Sequence, residues 1–472
     1  MFRELWKWED VIIEGISDNS QRIKKGYVFL CMDSTGDDAY SYAVSAVEKG
    51  AVAVVSYKDM ELGVPVIVSR DMEITMAKLS RRFYFKKEKN FKLIGVTGTN
   101  GKTTVTHLIK DILETCGESV GIIGTNGIFL KGKKTGLYKS TPTTPNSLEL
   151  WQIFAAMQEE NVENVVMEVS SHALSQKRVY GCEFDVGVFT NLSRDHLDFH
   201  KTLDEYKKAK EELFYISKKA VINIDDEAGR WIYSKIKSEK MSLGFSDADL
   251  LASATKMKEN GSEFILEYMD KKVWVDLSLP GRFNIYNALS AAGACVFLGK
   301  TLDEISKGLK NAKPVRGRME NITPGKDFSV IIDYAHTPDG LEKIIHTAKG
   351  FSKGKVITLF GCGGDRDKTK RPIMGEISGR YSDITIITSD NPRTEKPMEI
   401  IGDIYEGIKC TKGKFLIVPD RRMAIEHAID IVRAGDVILL AGKGQEEYQI
   451  IGKEKLHFDE REIVEECIKK KG

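Results

Sequence analysis

The chain has 472 residues, with 70 Lys plus Arg against 69 Asp plus Glu, 42% hydrophobic and 29% charged. That length exceeds one ordinary core, so about three domains of ~100–150 residues are expected. A net charge of +1 gives no reason to expect DNA or RNA as a partner, no run reaches the ~18 apolar residues of a membrane span, and seven scattered Cys without a C-x-x-C pattern speak against a disulfide framework or zinc ribbon.

The opening MFRELWKWED has no apolar h-region, so no signal peptide and a cytoplasmic location are expected. Residues 1–88 read as a small α/β domain, with strands at 27–32, 51–56 and 64–68 and helical spacing at 40–50 and 71–85. Residues 86–90, KKEKN, read as a polar linker. Residues 89–315 read as a second domain. Apolar strands at 93–96, 165–169, 186–189 and 220–224 alternate with helical patterns, which implies an α/β fold with a mostly parallel sheet. The period changes over 251–280, where short alternating runs turn at Asn260-Gly261 and near Asp270; this reads as a small antiparallel appendage. A helix follows at 284–298. Residues 316–472 form the third domain, with strands at 330–333, 356–360, 384–388, 416–418 and 437–440. Most run into polar or Gly-rich segments: DYAHTPDG, GCGGDRD, SDNPR, PDRR and AGKGQE. Ligands of open α/β sheets sit beyond the strands' C-terminal ends, so the chemistry is expected in these loops.

The strand at 93–96 leads into Thr97-Gly98-Thr99-Asn100-Gly101-Lys102-Thr103-Thr104, and a helix with an apolar face follows. Strand, Gly-rich turn and helix N-terminus make an anion site. Lys102 can reach β- and γ-phosphates, and Thr103 is placed to ligate Mg²⁺. Val96 stands where the strict phosphate-loop pattern has Gly, so this is a variant loop; the alternative is a Gly-rich turn without a ligand.

Glu168 ends a strand and offers a carboxylate for Mg²⁺; equally it fits an ion pair or a place beside a helix cap. Asn191 and His196 lie in TNLSRDHLDFH. His196 and His200 are spaced i, i+4, but no third ligand nearby supports zinc, and polar contact with ATP or Mg²⁺-bound water fits better. Lys210 falls in the middle of a helical face formed by Leu203, Tyr206, Leu213 and Phe214. Burial drives a lysine toward the neutral amine, which can take up CO₂ as a carbamate and so become an anionic Mg²⁺ ligand. From helical position alone, a lysine laying its stem over the apolar face is the simpler reading.

GVTGTNGKTT, EVSSHAL, TNLSRDHLDFH, LPGRFNIYNAL, GRME, DYAHTPDGL and GCGGDRDKTKRPIMG occur in this order. Together they resemble the Mur ligases of bacterial cell-wall synthesis, over nearly the whole chain and most weakly before residue 90. SDNPRTE and GKGQEE narrow the resemblance to the branch that adds the third peptide residue. It implies a small N-terminal domain for the UDP end, a central P-loop ATPase-like domain and a C-terminal Rossmann-like domain. It also implies a monomer that uses ATP and Mg²⁺ to join meso-2,6-diaminopimelate to the D-Glu γ-carboxylate of UDP-N-acetylmuramoyl-L-alanyl-D-glutamate, through an acyl phosphate.

By the same resemblance Lys102, Glu168, His196 and Lys210 are catalytic, Lys210 as the carbamate. Gly98, Thr99, Asn100, Gly101, Lys102, Thr103, Thr104, Asn284, Asn287, Arg318 and Asp333 hold ATP. Thr103, Glu168 and Lys210 hold the metal. Ser20, Thr143, Thr144, Ser170, Gln176 and Arg178 bind the nucleotide-sugar substrate. Arg366, Asp390, Asn391, Pro392, Arg393, Gly442 and Glu446 bind diaminopimelate, whose distal carboxylate an Arg393 guanidinium can hold bidentately. The sequence departs from the family at Asn19-Ser20-Gln21, at Gly36-Asp37-Asp38 and at Gln445, where relatives carry His. A lysine-adding sibling and a folylpolyglutamate synthase are the competing readings; the latter lacks the first domain and the DNPR loop.

Overall fold

The computed structural model describes residues 12–32, 36–258, 261–323 and 325–471; Asn260, half of the expected hairpin turn, lies outside the described residues. The chain divides into two compact units, Met1–Leu93 with Ser119–Phe184, and Ile94–Glu118 with Asp185–Gly472.

In the first unit, Gly15–Ser17, Tyr27–Leu30, Ala51–Ser56 and Val66–Val68 form a parallel four-stranded sheet in that order. Its apolar residues pack in two clusters, one with the helix Gly36–Glu48 and the other with the helix Met72–Tyr84. The latter helix starts where Asp71 accepts from the Ile74 amide at 2.9 Å, so the expected 71–85 span includes both caps. The helix Ser147–Glu159 opens on an Asn146/Glu149 capping box. The polar run 86–90 is anchored rather than loose: flanking Phe85 and Phe91 are buried, with ring centroids 5.3 Å from Trp151 and 5.5 Å from Phe154 respectively. Strand Val120–Gly124 pairs in parallel with Asn164–Glu168 and antiparallel with Gly127–Leu130.

In the second unit, one sheet runs Lys271–Leu277, Gly261–Tyr268, Leu250–Lys258, Glu239–Gly244, Ser217–Asn223, Phe184–Phe189 and Lys92–Thr97. The antiparallel segment is no separate appendage. Leu243↔Leu250 and Gly244↔Leu251 pair in parallel, so the three antiparallel strands continue the parallel sheet outward. At its outer edge the helix Leu302–Lys310 packs on Lys271–Leu277, and the Ser306 hydroxyl donates to the Trp274 carbonyl at 2.7 Å.

A six-stranded sheet follows, ordered Glu320–Asn321, Ser329–Asp333, Val437–Ala441, Val356–Phe360, Ile384–Ile387 and Lys414–Ile417, parallel except at the first strand. One face buries the helices Pro338–Phe351, Lys370–Tyr381 and Pro397–Ile408; the other buries Arg421–Ile431 and Glu460–Lys471. This doubly wound arrangement leaves the expected polar loops beyond the strands' C-terminal ends. Among the described residues no helix is long and apolar enough to cross a membrane.

Candidate functional site

The loop between strand Lys92–Thr97 and helix Lys102–Thr115 is shaped by two glycines. Gly98 (φ +148°) and Gly101 (φ +88°) lie in the region that favours glycine, and a Cβ on either would collide, with Thr190 Oγ1 and Asn287 Oδ1 respectively. The loop is braced from the segment after strand Phe184–Phe189. Asn191 accepts from the Asn100 amide and donates to the Asn100 carbonyl, both at 3.0 Å, while the Thr190 hydroxyl donates to that carbonyl at 2.7 Å. Thr103 and Thr104 are buried in the first helical turn. Lys102 Nζ folds over the loop and donates to the Gly98 and Thr99 carbonyls, both at 2.9 Å.

Lys210 is buried in the helix Leu203–Tyr215, as its spacing predicts. Leu203 is not part of that face: it is 46% exposed, because it begins the helix, whereas Tyr206, Leu213 and Phe214 are buried. Lys210 Nζ donates to the Gly98 carbonyl at 2.8 Å and lies 4.4 Å from the Tyr206 ring centre. Burial, reinforced by the Lys102 charge and only opposed by Asp195, pushes its pKa well below the usual lysine value. His200 is buried and stacks on Tyr206 at 5.0 Å. Among the described residues no group of three or more His, Cys, Asp or Glu is arranged to hold a metal.

Four further nucleotide candidates lie in this unit. Arg318 Nη2 donates to Thr103 Oγ1 at 3.0 Å. Asp333 ends its strand and accepts from the Met319 and Ala335 amides, each at 2.7 Å; burial nevertheless raises its pKa. Asn287 donates to Asn284 Oδ1 at 3.0 Å, and Asn284 to the Pro280 carbonyl at 2.8 Å. His196, with a left-handed φ of +54°, turns Nε2 toward Asp195 Oδ2 at 3.4 Å.

The diaminopimelate candidates cluster beyond the third sheet. Asn391 donates to Glu446 Oε2 at 2.8 Å and accepts from Lys443 Nζ at 3.2 Å. Fully buried Lys443 also lies 3.6 Å from Asp390 and 3.5 Å from Glu446. Burial first, and the Asp390 charge second, raise the Glu446 pKa despite Lys443. A Cβ at Gly442 (φ +109°) would sit 2.7 Å from Asp390 Oδ2. Pro392 is buried and precedes Arg393, which is held with φ +51° by its amide to Ile450 O (3.1 Å) and its carbonyl from the Gly452 amide (2.7 Å). Arg393 Nη1 donates to the Gly364 carbonyl at 2.8 Å. Arg366 is exposed and donates to the Asp365 carbonyl at 2.9 Å. Glu395, just past this loop, joins buried Arg371 by two hydrogen bonds of 2.8 and 3.0 Å.

In the first unit, Glu168 Oε1 accepts from the Thr125 amide at 2.8 Å and Oε2 from the Thr125 hydroxyl at 3.1 Å. Thr125 Oγ1 lies 3.2 Å from Thr143 Oγ1. Thr144 Oγ1 donates to the Glu168 carbonyl at 2.9 Å and accepts from the Ser170 amide at 3.0 Å. Arg178 donates to the Thr144 carbonyl at 3.1 Å and to Gln176 Oε1 at 2.5 Å. These residues therefore form one cluster. Ser20 sits in a short helical turn, buried, with its carbonyl accepting from Lys49 at 3.3 Å.

Sequence reasoning passed over Asp195, His336, Lys370, Lys443 and Thr125. For all but Thr125 the signal was present, since the other four lie inside quoted motifs, but their pairing is long-range. Lys139 was also passed over: it donates to the Gly124 carbonyl at 2.5 Å, and burial lowers its pKa to about 8 against the pull of Glu168.

The model of the Mur ligase middle domain matches residues 96–295, and that of the Mur ligase glutamate ligase domain matches residues 317–444. The chain is 45% identical over 465 residues to UDP-N-acetylmuramoyl-L-alanyl-D-glutamate–2,6-diaminopimelate ligase 1 of Clostridium acetobutylicum, covering 98% of this chain and 95% of that protein. It is also 45% identical to the protein of that ligase name in Clostridium botulinum, covering 97% and 95%. A solved structure titled as a ligase of the same name superposes with a TM-score of 0.69 at 31% identity, covering 97% and 95%. The MurF ligase of Thermotoga maritima in complex with ADP, at 19% identity, shares the fold with a TM-score of 0.68, covering 98% of each chain.

Proposed function

The chain belongs to the Mur ligase family, and from that membership we propose that it joins meso-2,6-diaminopimelate to the D-Glu γ-carboxylate of UDP-N-acetylmuramoyl-L-alanyl-D-glutamate, driven by ATP, in cytoplasmic peptidoglycan synthesis. The observation that carries this reading is the 45% identity, along 98% of the chain, to a ligase named for those substrates. Residues 1–88, 89–315 and 316–472 are assigned as its UDP-sugar, ATP and amino-acid domains. The test is ADP release with UDP-muramoyl dipeptide and diaminopimelate, lysine or glutamate as third substrate. Turnover is expected with diaminopimelate; turnover with none of the three overturns the assignment.

The reaction transfers the γ-phosphoryl group of ATP to the D-Glu γ-carboxylate. The diaminopimelate amine attacks the acyl phosphate, and the tetrahedral adduct collapses with release of phosphate. Phosphoryl transfer needs positioning and charge neutralisation more than covalent help. Backbone amides of residues 98–104 and the N-terminus of helix Lys102–Thr115 supply part of it, and Lys102 supplies a cation once it leaves the loop carbonyls for phosphate oxygens. Asn284, Asn287, Arg318 and Asp333 hold the nucleotide, with Arg318 already on Thr103. His196 serves the ATP site.

Family membership assigns a magnesium ion to Thr103, Glu168 and Lys210, and the chemistry of each donor suits one. A threonine hydroxyl at 103, a carboxylate at 168 and a carbamate on Lys210 are hard oxygen donors, and burial pushes the Lys210 pKa downward, the direction that favours carbamate formation. Bound there, the ion would screen negative charge on the transferring phosphoryl group. Ser20, Thr143, Thr144, Ser170, Gln176 and Arg178 bind the nucleotide-sugar substrate. At the amino-acid site, Arg393 and Arg366 face the distal carboxylate. Asp390, Asn391 and Glu446 take the ammonium beside it, while Pro392 and Gly442 shape the pocket.

A further inference from the structure

Asp195 is a buried carboxylate on which three basic side chains converge. His196 Nε2 lies 3.4 Å and His336 Nε2 3.6 Å from Oδ2, and Lys370 Nζ lies 3.6 Å from Oδ1. His196 and Asp195 belong to the segment matched by the middle-domain model, His336 and Lys370 to the segment matched by the glutamate ligase-domain model. Each partner is held in place. His336 Nδ1 is 2.8 Å from the Tyr334 carbonyl, which fixes the ring with its Nε2 turned toward Asp195. Lys370 begins the helix Lys370–Tyr381 and is itself buried. A buried cation at a helix N-terminus opposes the macrodipole and needs a counter-charge.

The neighbours of this cluster reach the phosphate loop. Asn100 Nδ2 donates to Asp339 Oδ2 at 3.1 Å, three residues past His336, and Arg194 donates to Thr369 at 3.1 Å, beside Lys370. Thr99 Oγ1 receives the Ser193 amide at 3.0 Å. Burial alone would raise the Asp195 pKa, yet the adjacent His336 ring and the Lys370 and His196 charges hold it well below the usual carboxylate range. Without that carboxylate, buried Lys370 would lose its counter-charge and the two half-buried histidines their shared anchor.

We propose that Asp195 is a positioning residue for phosphoryl transfer, which holds His336 and Lys370 against the phosphate loop so that the amino-acid-binding part of the chain meets bound ATP. The inference rests on the ligase reading for its kinetic test. Asp195→Asn keeps the shape and removes the charge. It is expected to lower kcat about 30-fold while the KM for ATP and the dissociation constant for ADP stay within about threefold. Asp195→Glu should recover most of the loss. Lys370→Met should cost a similar factor, and the double variant no more than about 100-fold, far short of the multiplied ~10³. A kcat of Asp195→Asn within about threefold of wild type, or multiplicative losses in the double variant, overturns the proposal. The same cycle read in urea denaturation reports the Asp195–Lys370 pairing without turnover. Coupling there with an inactive wild type removes the ligase reading and keeps the pairing; absence of coupling there overturns the proposal.

Discussion

Lys102 and Lys210 send their Nζ atoms to one acceptor, the carbonyl oxygen of Gly98, at 2.9 and 2.8 Å. Two ammonium groups sharing one carbonyl in a buried site repel each other. The conflict resolves when Lys210 sheds its proton, the direction in which burial and Lys102 both push it. As a carbamate, Lys210 would turn the repulsion into attraction. Lys210→Ala should therefore lose most activity, with partial rescue by short carboxylic acids. Lys210→Arg, a cation that cannot form a carbamate, should be inactive. An active Lys210→Arg enzyme in the ADP-release assay would falsify the carbamate.

Lys102→Ala should abolish turnover and leave the fold intact. Lys102 is only partly buried and donates to carbonyls of its own loop. Loss of the charge leaves the β/γ-phosphates uncompensated, which lowers kcat by about 10²–10³ or more. The unfolding midpoint should stay within about 3 °C of wild type. Near-normal phosphate release would remove the phosphate-loop assignment.

Arg393→Ala should raise the KM for meso-diaminopimelate strongly. A bidentate charged contact contributes roughly 1.5–3 kcal/mol, so lysine, lacking the distal carboxylate, should be rejected by about 10²-fold in the wild type. The variant narrows that gap without making lysine a good substrate, because nothing new binds it. ATP affinity should not change. Wild-type preference for lysine in direct competition would reject diaminopimelate as the substrate.

Glu395 links stability to pH. Arg371 first, together with the Asp365 amide and Lys368, holds the Glu395 carboxyl down to about 2 from 4.5 despite desolvation. A folded-state pKa below the unfolded one contributes stability above about pH 4.5 that is lost as pH falls from there through about 2. Glu395→Gln leaves Arg371 buried with the half-exposed Asp403 as its remaining carboxylate. It should cost about 2 kcal/mol at pH 7, with the gap to wild type closing across that acid window. Urea denaturation at pH 7, 4.5 and 3 measures it; a gap independent of pH would contradict the ion-pair account.

The parallel strands of both larger sheets were legible because they are apolar runs buried on both faces, such as Val356–Phe360 and Val437–Ala441. The phosphate loop and Lys210 were legible because their chemistry lies within one local pattern. Glu239–Gly244 was not, since its EKMSLG sequence has little strand character and pairing with Ser217–Asn223 supplies the rest. Val120–Gly124 escaped because VGIIG is a short apolar run broken by glycine, too short to be told from a turn. Asp195 escaped for a different reason. Its partners at 336 and 370 are remote in sequence, and no periodicity encodes a contact that the packing of distant loops creates. Buried Arg421, held by Glu460 at 2.8 Å, is of the same kind.

The outer strand Lys271–Leu277 bears on how the protein behaves when crowded with its own copies. A bare sheet edge is a template on which a second molecule adds a strand. Here Ser306 occupies the Trp274 carbonyl, the helix Leu302–Lys310 lies over the strand, and Lys272 pairs with Glu267 at 2.7 Å while remaining largely in solvent. The antiparallel extension thus ends the ladder as well as lengthening it. Concentrated solutions should resist edge-to-edge polymerisation, and Ser306→Ala with Lys272→Val is the change that should first expose this face to it.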